Sequence, residues 1–354
     1  MKVDVFKIPQ SSPDDLTGLT DLIQQQGIDP QTIVAVMGKT EGNGCVNDFT
    51  RGFAVATLKG YLQPLIGEAQ ANQIVYVMSG GTEGVLSPHL TVFTRQTAGL
   101  EGLPRWGLAV GVCHTRNFGV AEIGTVAMVE TVAAGVKEAI ATAHILPEDV
   151  HLVQIKCPLI TASRQTQGEL VVTQDSYKSM AYSRGASALG VAVALGELDL
   201  AQLTPADICA NYSLYSSVAS TSAGVELQNC EILVLGNSSQ SHSDYRIGHS
   251  VMHHALDTTA VWEAIANAQG SADPIDVEKI VNVFAKAEAS PSGEILGRRH
   301  TMLDDSDINH TRMARAVVGS VVAAAVQDPM VYVSGGSEHQ GPPGGGPIAV
   351  ISRA

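Results

Sequence analysis

The sequence predicts an α/β protein of three similar units, each a small β-sheet covered by helices, set around a pseudo-threefold axis with a site at their central junction. Three observations carry this. A Ser-to-Glu loop filled mostly with small residues is written three times: Ser79-Gly80-Gly81-Thr82-Glu83, Ser222-Ala223-Gly224-Val225-Glu226 and Ser334-Gly335-Gly336-Ser337-Glu338. Lys39, Lys156 and Lys286 each follow a β-rich run by one or two positions. Between each Lys and the next Ser stands a helical segment carrying an Arg: Arg51, Arg184, and either Arg315 or Arg312. Internal repeats describe architecture before single elements do.

The first unit covers residues 1–100. It opens with a strand at 3–8. Ser12 ahead of Pro13, Asp14 and Asp15 reads as a helix start, with the helix running to about Gln26. A strand at 33–37 delivers Lys39. Asn47 or Asp48 caps the helix bearing Arg51. A strand at 74–78 delivers Ser79, and one at 89–93 closes the unit. The second unit, 104–241, repeats the plan. Its strand at 105–112 is followed by a helix at 123–144, a strand at 150–155 ahead of Lys156, and a helix with Arg184. The Ser222 loop and a strand at 232–235 complete it. The third unit, 245–354, has a helix near 259–268, a strand at 280–284 before Lys286 and a helix with Arg312 and Arg315. A strand at 330–333 delivers Ser334, and one at 348–351 ends the unit. Linkers at 95–104 and 236–246 are rich in Gly, Ser, Thr or Asn.

Composition narrows the function. A chain of 354 residues with 45% hydrophobic and 16% charged residues can bury a large core. The net charge of −14 argues against nucleic acid and anionic membranes as partners. Five cysteines without a C-x-x-C pair read as reduced thiols in a cytoplasmic protein. No signal peptide is expected from the N-terminal residues, and no apolar run reaches membrane-spanning length. The histidines lack the H-E-x-x-H spacing of a catalytic zinc site.

One lysine after a strand is ordinarily a surface residue. Three at matching places, in a chain with 21 Lys and Arg together, call for another reading. Neighbouring guanidinium groups and burial both push a Lys amine toward its neutral form. Such an amine can take the proton of a Ser, making it a nucleophile, while backbone N–H groups of the small-residue loop hold an oxyanion. These are the parts of Ser-Lys acyl transfer at an amide or imide. If the three loops meet, the pocket suits a small, flat, carbonyl-rich ring of near-threefold shape, such as a cyclic triimide. Arg forks match its oxygens. Glu83, Glu226 and Glu338 are expected to fix the Ser loops rather than orient the amines.

These loops, the three Lys positions, and the phrases G-R-R-H-T-M-L-D-D-S-D-I-N-H-T-R and S-E-H-Q-G-P-P-G-G-G-P-I-A-V-I carry a family resemblance over essentially the whole chain. The sequence resembles the cyanuric acid hydrolase and barbiturase family of ring-opening amidohydrolases. The resemblance implies Lys156 as base and Ser222 as nucleophile. Ser79 with Gly80, and Ser334 with Gly335, would hold the other carbonyls, alongside Ala223, Lys39 and Lys286. Arg51, Arg184 and Arg315 would clamp the ring, with Arg312 the fallback for the third. It also implies a structural Mg²⁺ or Ca²⁺ held by Glu288, Ser337, Gln340, Gly341, Pro342 and Gly345, no catalytic cofactor, and a homotetramer. The expected reaction opens cyanuric acid to carboxybiuret, which yields biuret and CO₂. The alternatives are barbituric acid opened to ureidomalonate, or a non-catalytic binding protein for cyclic ureides.

Overall fold

The computed structural model describes residues 1–165, 170–270 and 275–354. The first sheet is built by β1 (Lys2–Pro9), β2 (Ile33–Thr40), β3 (Val75–Gly80) and β4 (His89–Gln96), with α1 (Thr17–Gln24), α2 (Phe49–Ile66) and the single turn α3 (Glu68–Ala71). The second contains β5 (Arg105–His114), β6 (Val150–Pro158), β7 (Ala219–Gly224) and β8 (Glu231–Ser241), with α4 (Val126–Ala143) and α5 (Ser176–Leu195). The third contains β9 (Tyr245–Met252), β10 (Ile280–Ala287), β13 (Tyr332–Gly335) and β14 (Gly346–Arg353), with α6 (Thr258–Gln269) and α7 (His310–Val326). A small hairpin, β11 (Glu294–Ile295) with β12 (Arg298–Arg299), lies between β10 and α7.

All three sheets share one strand order: first, fourth, second, third. In each, the second and third strands pair in parallel, and the fourth runs antiparallel to the first and second. A parallel pair needs a long crossover. Here α2, α5 and α7, the Arg-bearing helices, supply it.

Each sheet is apolar on both faces. Outer faces pack against the unit's own helices, as where Ile33, Val36, Tyr76 and Met78 meet Leu58 and Leu62 of α2. Inner faces converge in one shared core. It takes Ala35, Met37, Val75 and Val77 from the first sheet, Leu152, Leu233 and Leu235 from the second, and Phe284, Tyr332 and Ile351 from the third. Side chains two apart on a strand share a face. The strands that send Val75 and Val77, or Tyr332, into this core therefore send Ser79 and Ser334 to the same side.

Several sequence-based boundaries move. The first helix begins at Thr17 rather than after Ser12, because the Asp15 carboxylate accepts from Ser11 and from the Thr17 N–H and closes a turn ahead of it. The stretch 236–241 belongs to β8 and not to a linker. Asn237 both donates to Ile247 O and accepts from Ile247 N, tying β8 to β9. The lysines lie inside strands rather than just beyond them. Among the described residues, no helix is long and apolar enough to cross a membrane.

Candidate active site

Register sets the chemistry. The parallel pairs place Lys39 beside Ser79, Lys156 beside Ser222 and Lys286 beside Ser334. All three amines are buried. Each reaches across to the carbonyl just before the next unit's Ser. Lys39 Nζ donates to Val333 O at 2.7 Å, Lys156 to Met78 O at 2.8 Å, and Lys286 to Thr221 O at 2.9 Å. The three units are thereby closed into a ring by their own lysines.

The amines differ in what else they touch. Lys39 Nζ stands 3.3 Å from Ser79 Oγ, and Lys286 Nζ 3.2 Å from Ser334 Oγ. Lys156 makes no hydrogen bond to Ser222 among the described residues; its second partner is the Glu226 carboxylate at 3.2 Å. Ser222 Oγ is 3.0 Å from Ser334 Oγ. Burial lowers all three Lys pKa values. Arg315 adds to the effect at Lys39, and Arg184 at Lys286, which falls to about 7. At Lys156 burial is opposed first by Glu226.

Above the lysines lies a small cleft lined by Arg51, Arg184, Arg315, Ser79, Gly80, Ser222, Ala223, Ser334, Gly335, Gly44 and Met180. Its three arginines come from the three crossover helices. Each of these starts at an acidic or amide cap: Asp48 accepts from Thr50 N, Asp175 from Tyr177 N and Asn309 from Thr311 N. Arg315 is forked onto Glu83 at 2.9 and 2.5 Å, and Arg184 onto Glu338 at 2.8 and 2.6 Å. Each fork crosses a unit boundary and turns the rest of the guanidinium toward the cleft. Arg51 departs from the pattern: it donates to Ala223 O and Cys45 O, and its buried Nε has no hydrogen bond among the described residues, its nearest charge being Asp48 at 3.8 Å. Arg312, half exposed, reaches Glu83 from outside and does not line the cleft.

Every Ser, Arg and small residue named from the sequence as holding the ring lines this cleft, with Lys39, Lys156 and Lys286 directly beneath. Sequence reasoning missed Gly44, Met180 and Tyr332. Tyr332 is fully buried in the shared core, with Lys39 Nζ 5.9 Å from its ring centroid and its hydroxyl beside Ser79 and Ser222. Counting would have found it. Tyr332 lies two residues before Ser334 and shares its face, whereas Tyr76, three before Ser79, points outward and donates to Ala71 O.

The residues named for a metal follow β10 and the Ser334 loop of the third unit. Glu288 and Ser337 line one cavity with Tyr212 and His310. Glu288 Oε1 accepts from Ala289 N and lies 3.1 Å from His310 Nδ1, while Oε2 has no hydrogen bond among the described residues. The Gln340 side chain is occupied, accepting from Thr221 N and donating to Gly336 O, so only its backbone oxygen is free for a cation. Among the described residues no cluster of three His, Cys, Asp or Glu could hold a metal. Of the six residues named, only Glu288 and Ser337 line that cavity; a donor set of carboxylate and carbonyl oxygens is of the kind a hard cation takes rather than zinc.

Fold and cleft together define a three-unit α/β protein whose register-paired Ser and Lys side chains and three arginines meet at one small cleft. The chain matches the amidohydrolase ring-opening family over residues 4–353 and belongs to it. It is 52% identical to a cyanuric acid amidohydrolase of Enterobacter cloacae over the full length of both chains. It is 47% identical to a cyclic amide hydrolase of Azorhizobium caulinodans, again over both full lengths. A solved cyanuric acid hydrolase structure superposes with a TM-score of 0.94 at 49% identity, covering 100% of this chain and 99% of the other. The cyanuric acid hydrolase of A. caulinodans gives 0.92 at 48%, covering 99% of each.

Proposed function

We propose that this protein hydrolyses cyanuric acid by opening its ring. The observation that carries the reading is the convergence of three register-paired Lys and Ser residues and three arginines on one small cleft. Cyanuric acid offers three carbonyls and three ring N–H groups at threefold positions, so each unit can grip an equivalent edge. Relatives about half identical over their full length carry the name of this activity.

In this mechanism Ser222 Oγ attacks one ring carbonyl carbon while Lys156 takes its proton. The tetrahedral oxyanion is held by N–H donors at the strand end. The ring C–N bond then breaks, and Lys156 returns the proton to the leaving nitrogen. Water, activated by the same amine, cleaves the acyl-serine and releases carboxybiuret, which loses CO₂ to give biuret. Ser79 and Ser334, hydrogen-bonded to Lys39 and Lys286, polarise the other two carbonyls. Arg51, Arg184 and Arg315 neutralise the acidic ring. Lys156 and Ser222 are chosen because their loop alone carries Ala223 in place of Gly, and their Lys alone has a carboxylate partner within 4 Å.

A Mg²⁺ or Ca²⁺ at Glu288, with carbonyls of Ser337, Gln340, Gly341, Pro342 and Gly345, would serve as a structural clip on the turn behind Ser334. We further propose a cytoplasmic location, in keeping with five free cysteines, and a homotetrameric assembly.

Side-by-side assays of ring-absorbance loss test the reading. Cyanuric acid should be consumed and barbituric acid should not. Ser222→Ala should lose at least about a thousandfold in kcat with melting temperature unchanged, and Lys156→Ala should lose as much with a lowered melting temperature, because it also strands Met78 O and the Glu226 carboxylate. Full activity in Ser222→Ala rejects the mechanism. Turnover of barbituric acid alone reassigns the substrate, and binding without turnover of either leaves a ureide-binding protein.

A further inference from the structure

The three Glu residues that close the Ser loops hold equivalent sequence positions but not equivalent partners. Glu83 and Glu338 each fork onto the arginine of a neighbouring unit. By the same rotation Glu226 would fork onto Arg51. Instead it stands 3.2 Å from Lys156 Nζ within its own unit, and Arg51 Nε, without a hydrogen bond among the described residues, is left facing Asp48 of its own unit at 3.8 Å.

The backbone explains the departure. Gly81 and Gly336, the third residues of their loops, adopt left-handed φ values of +110° and +78°. Gly224, their counterpart, has no positive φ, and β7 runs on to include it. The loop therefore leaves the sheet in another direction and carries Glu226 back over Lys156. A Cβ on Gly224 would sit 2.3 Å from Glu226 Oε2, so the glycine makes room for this placement.

We infer that Glu226 is a positioning residue for the hydrolysis proposed above: it holds Lys156, alone among the three lysines, as a strong base and stabilises the ammonium formed when Ser222 gives up its proton. This rests on the proposed reading of Lys156 and Ser222. The proton balance is simple. The Ser222 O–H bond breaks, the Oγ pair bonds to the carbonyl carbon, and the proton moves to the Lys156 lone pair beside an unchanged carboxylate. Lys39 and Lys286 have no such carboxylate bond and remain hydrogen-bond donors to their serines.

Other charges face this pair. Arg51 from α2 opposes the ammonium and favours the carboxylate, and Cys157 adjoins Lys156 on β6. Glu231 on β8, opposite Lys156 in register and bonded to Tyr76 N, is raised by burial to about 7 and feels Lys59, Lys156 and Glu226. Burial raises Glu226 itself, but Lys156 and Arg51 outweigh it and hold it ionised.

The test is the pH dependence of kcat/KM for cyanuric acid in wild type, Glu226→Gln, Glu226→Asp and Glu83→Gln. Substrate ionisation is common to all, so differences belong to the enzyme. A carboxylate at this distance raises an amine pKa by about one unit or more. Glu226→Gln should therefore move the rising acidic limb down by about one pH unit and lower the plateau kcat about tenfold or more. Glu226→Asp should restore the limb toward wild type. Glu83→Gln should raise KM and leave the limb in place. Gly224→Ala, whose backbone tolerates a side chain, should displace the carboxylate and shift the limb as Glu226→Gln does, which covers the case of a poorly folded Gln variant. An unmoved limb in Glu226→Gln or Gly224→Ala, with Ser222→Ala inactive, overturns the inference alone. An active Ser222→Ala overturns the mechanism beneath it.

Discussion

Arg184 shows how one side chain can be both scaffold and ligand clamp. Its Nε and one terminal nitrogen are committed to Glu338, and its remaining face lines the cleft. Burial opposes the ionised Glu338, and the Arg184 charge overcomes it and holds the carboxyl below its usual range. Replacing Arg184 by Met strands a buried carboxylate, which costs about 3–5 kcal/mol. Arg184→Met should therefore lower the melting temperature and raise KM. The double variant Arg184→Met/Glu338→Gln should recover most of the stability, because no unpaired charge remains, yet keep the raised KM. Calorimetry and steady-state kinetics on both variants check this. A KM that recovers along with stability would show that Arg184 only holds the loop. Residue types at this scale were largely readable in the sequence: a Ser, a Lys and an Arg per unit, in order. Their partners were not. The three Glu residues look alike in sequence, and only the φ of the third loop residue separates the two that grip arginine from the one that meets Lys156.

Helices and strands carry these residues to the cleft through register and loop exit. Sequence patterning located the strands because their β-branched runs are long, and it ended them early. Lys39, Lys156 and Lys286 were read as lying past the strand ends, since a charged residue rarely sits in a buried strand. Each is tolerated there because a neighbouring unit's carbonyl accepts from its amine, and a single sequence does not display contacts between units. The loop exits are more demanding still. Gly336 combines φ +78° with a hypothetical Cβ 2.6 Å from the Arg184 guanidinium carbon. A left-handed non-glycine residue costs about 1–2 kcal/mol before any clash. Gly336→Ala should thus lower the melting temperature by several degrees and raise KM by displacing Arg184. Gly293→Ala makes a useful comparison, because its φ of +73° meets no atom within 4 Å. It should show the backbone penalty without the kinetic one. Equal KM values in the two variants would remove the steric argument.

At the scale of the whole chain, triplication leads to one core rather than three. Each sheet has its own helix-covered layer, but the inner faces meet in a common cluster that includes Val77, Leu233, Phe284 and Tyr332. The cleft sits at the end of that cluster, so its geometry depends on all three units at once. The repeats made the threefold plan legible. The sharing of the inner core was less so, because strands covered on both faces read as continuous apolar runs with no indication of which side faces whom. A consequence follows for stability. Phe284 is fully buried between Phe93 of the first sheet and Tyr332 of its own, at ring distances of 6.4 and 5.8 Å. Its removal costs about 3–5 kcal/mol. If the third unit were an independent domain, Phe284→Ala would split off an early calorimetric transition while the first two units melted as in wild type. With a shared core, the whole endotherm should move down together and remain single, and activity should vanish at the same temperature as secondary structure. The lysine ring points the same way: Lys39, Lys156 and Lys286 each donate to a carbonyl of another unit, so loss of one inner face leaves a buried amine unpartnered in the next. A separate low-temperature transition in Phe284→Ala, with the Lys156 side of the cleft still folded, would mean that the units are autonomous and that their meeting, rather than their folding, is what makes the site.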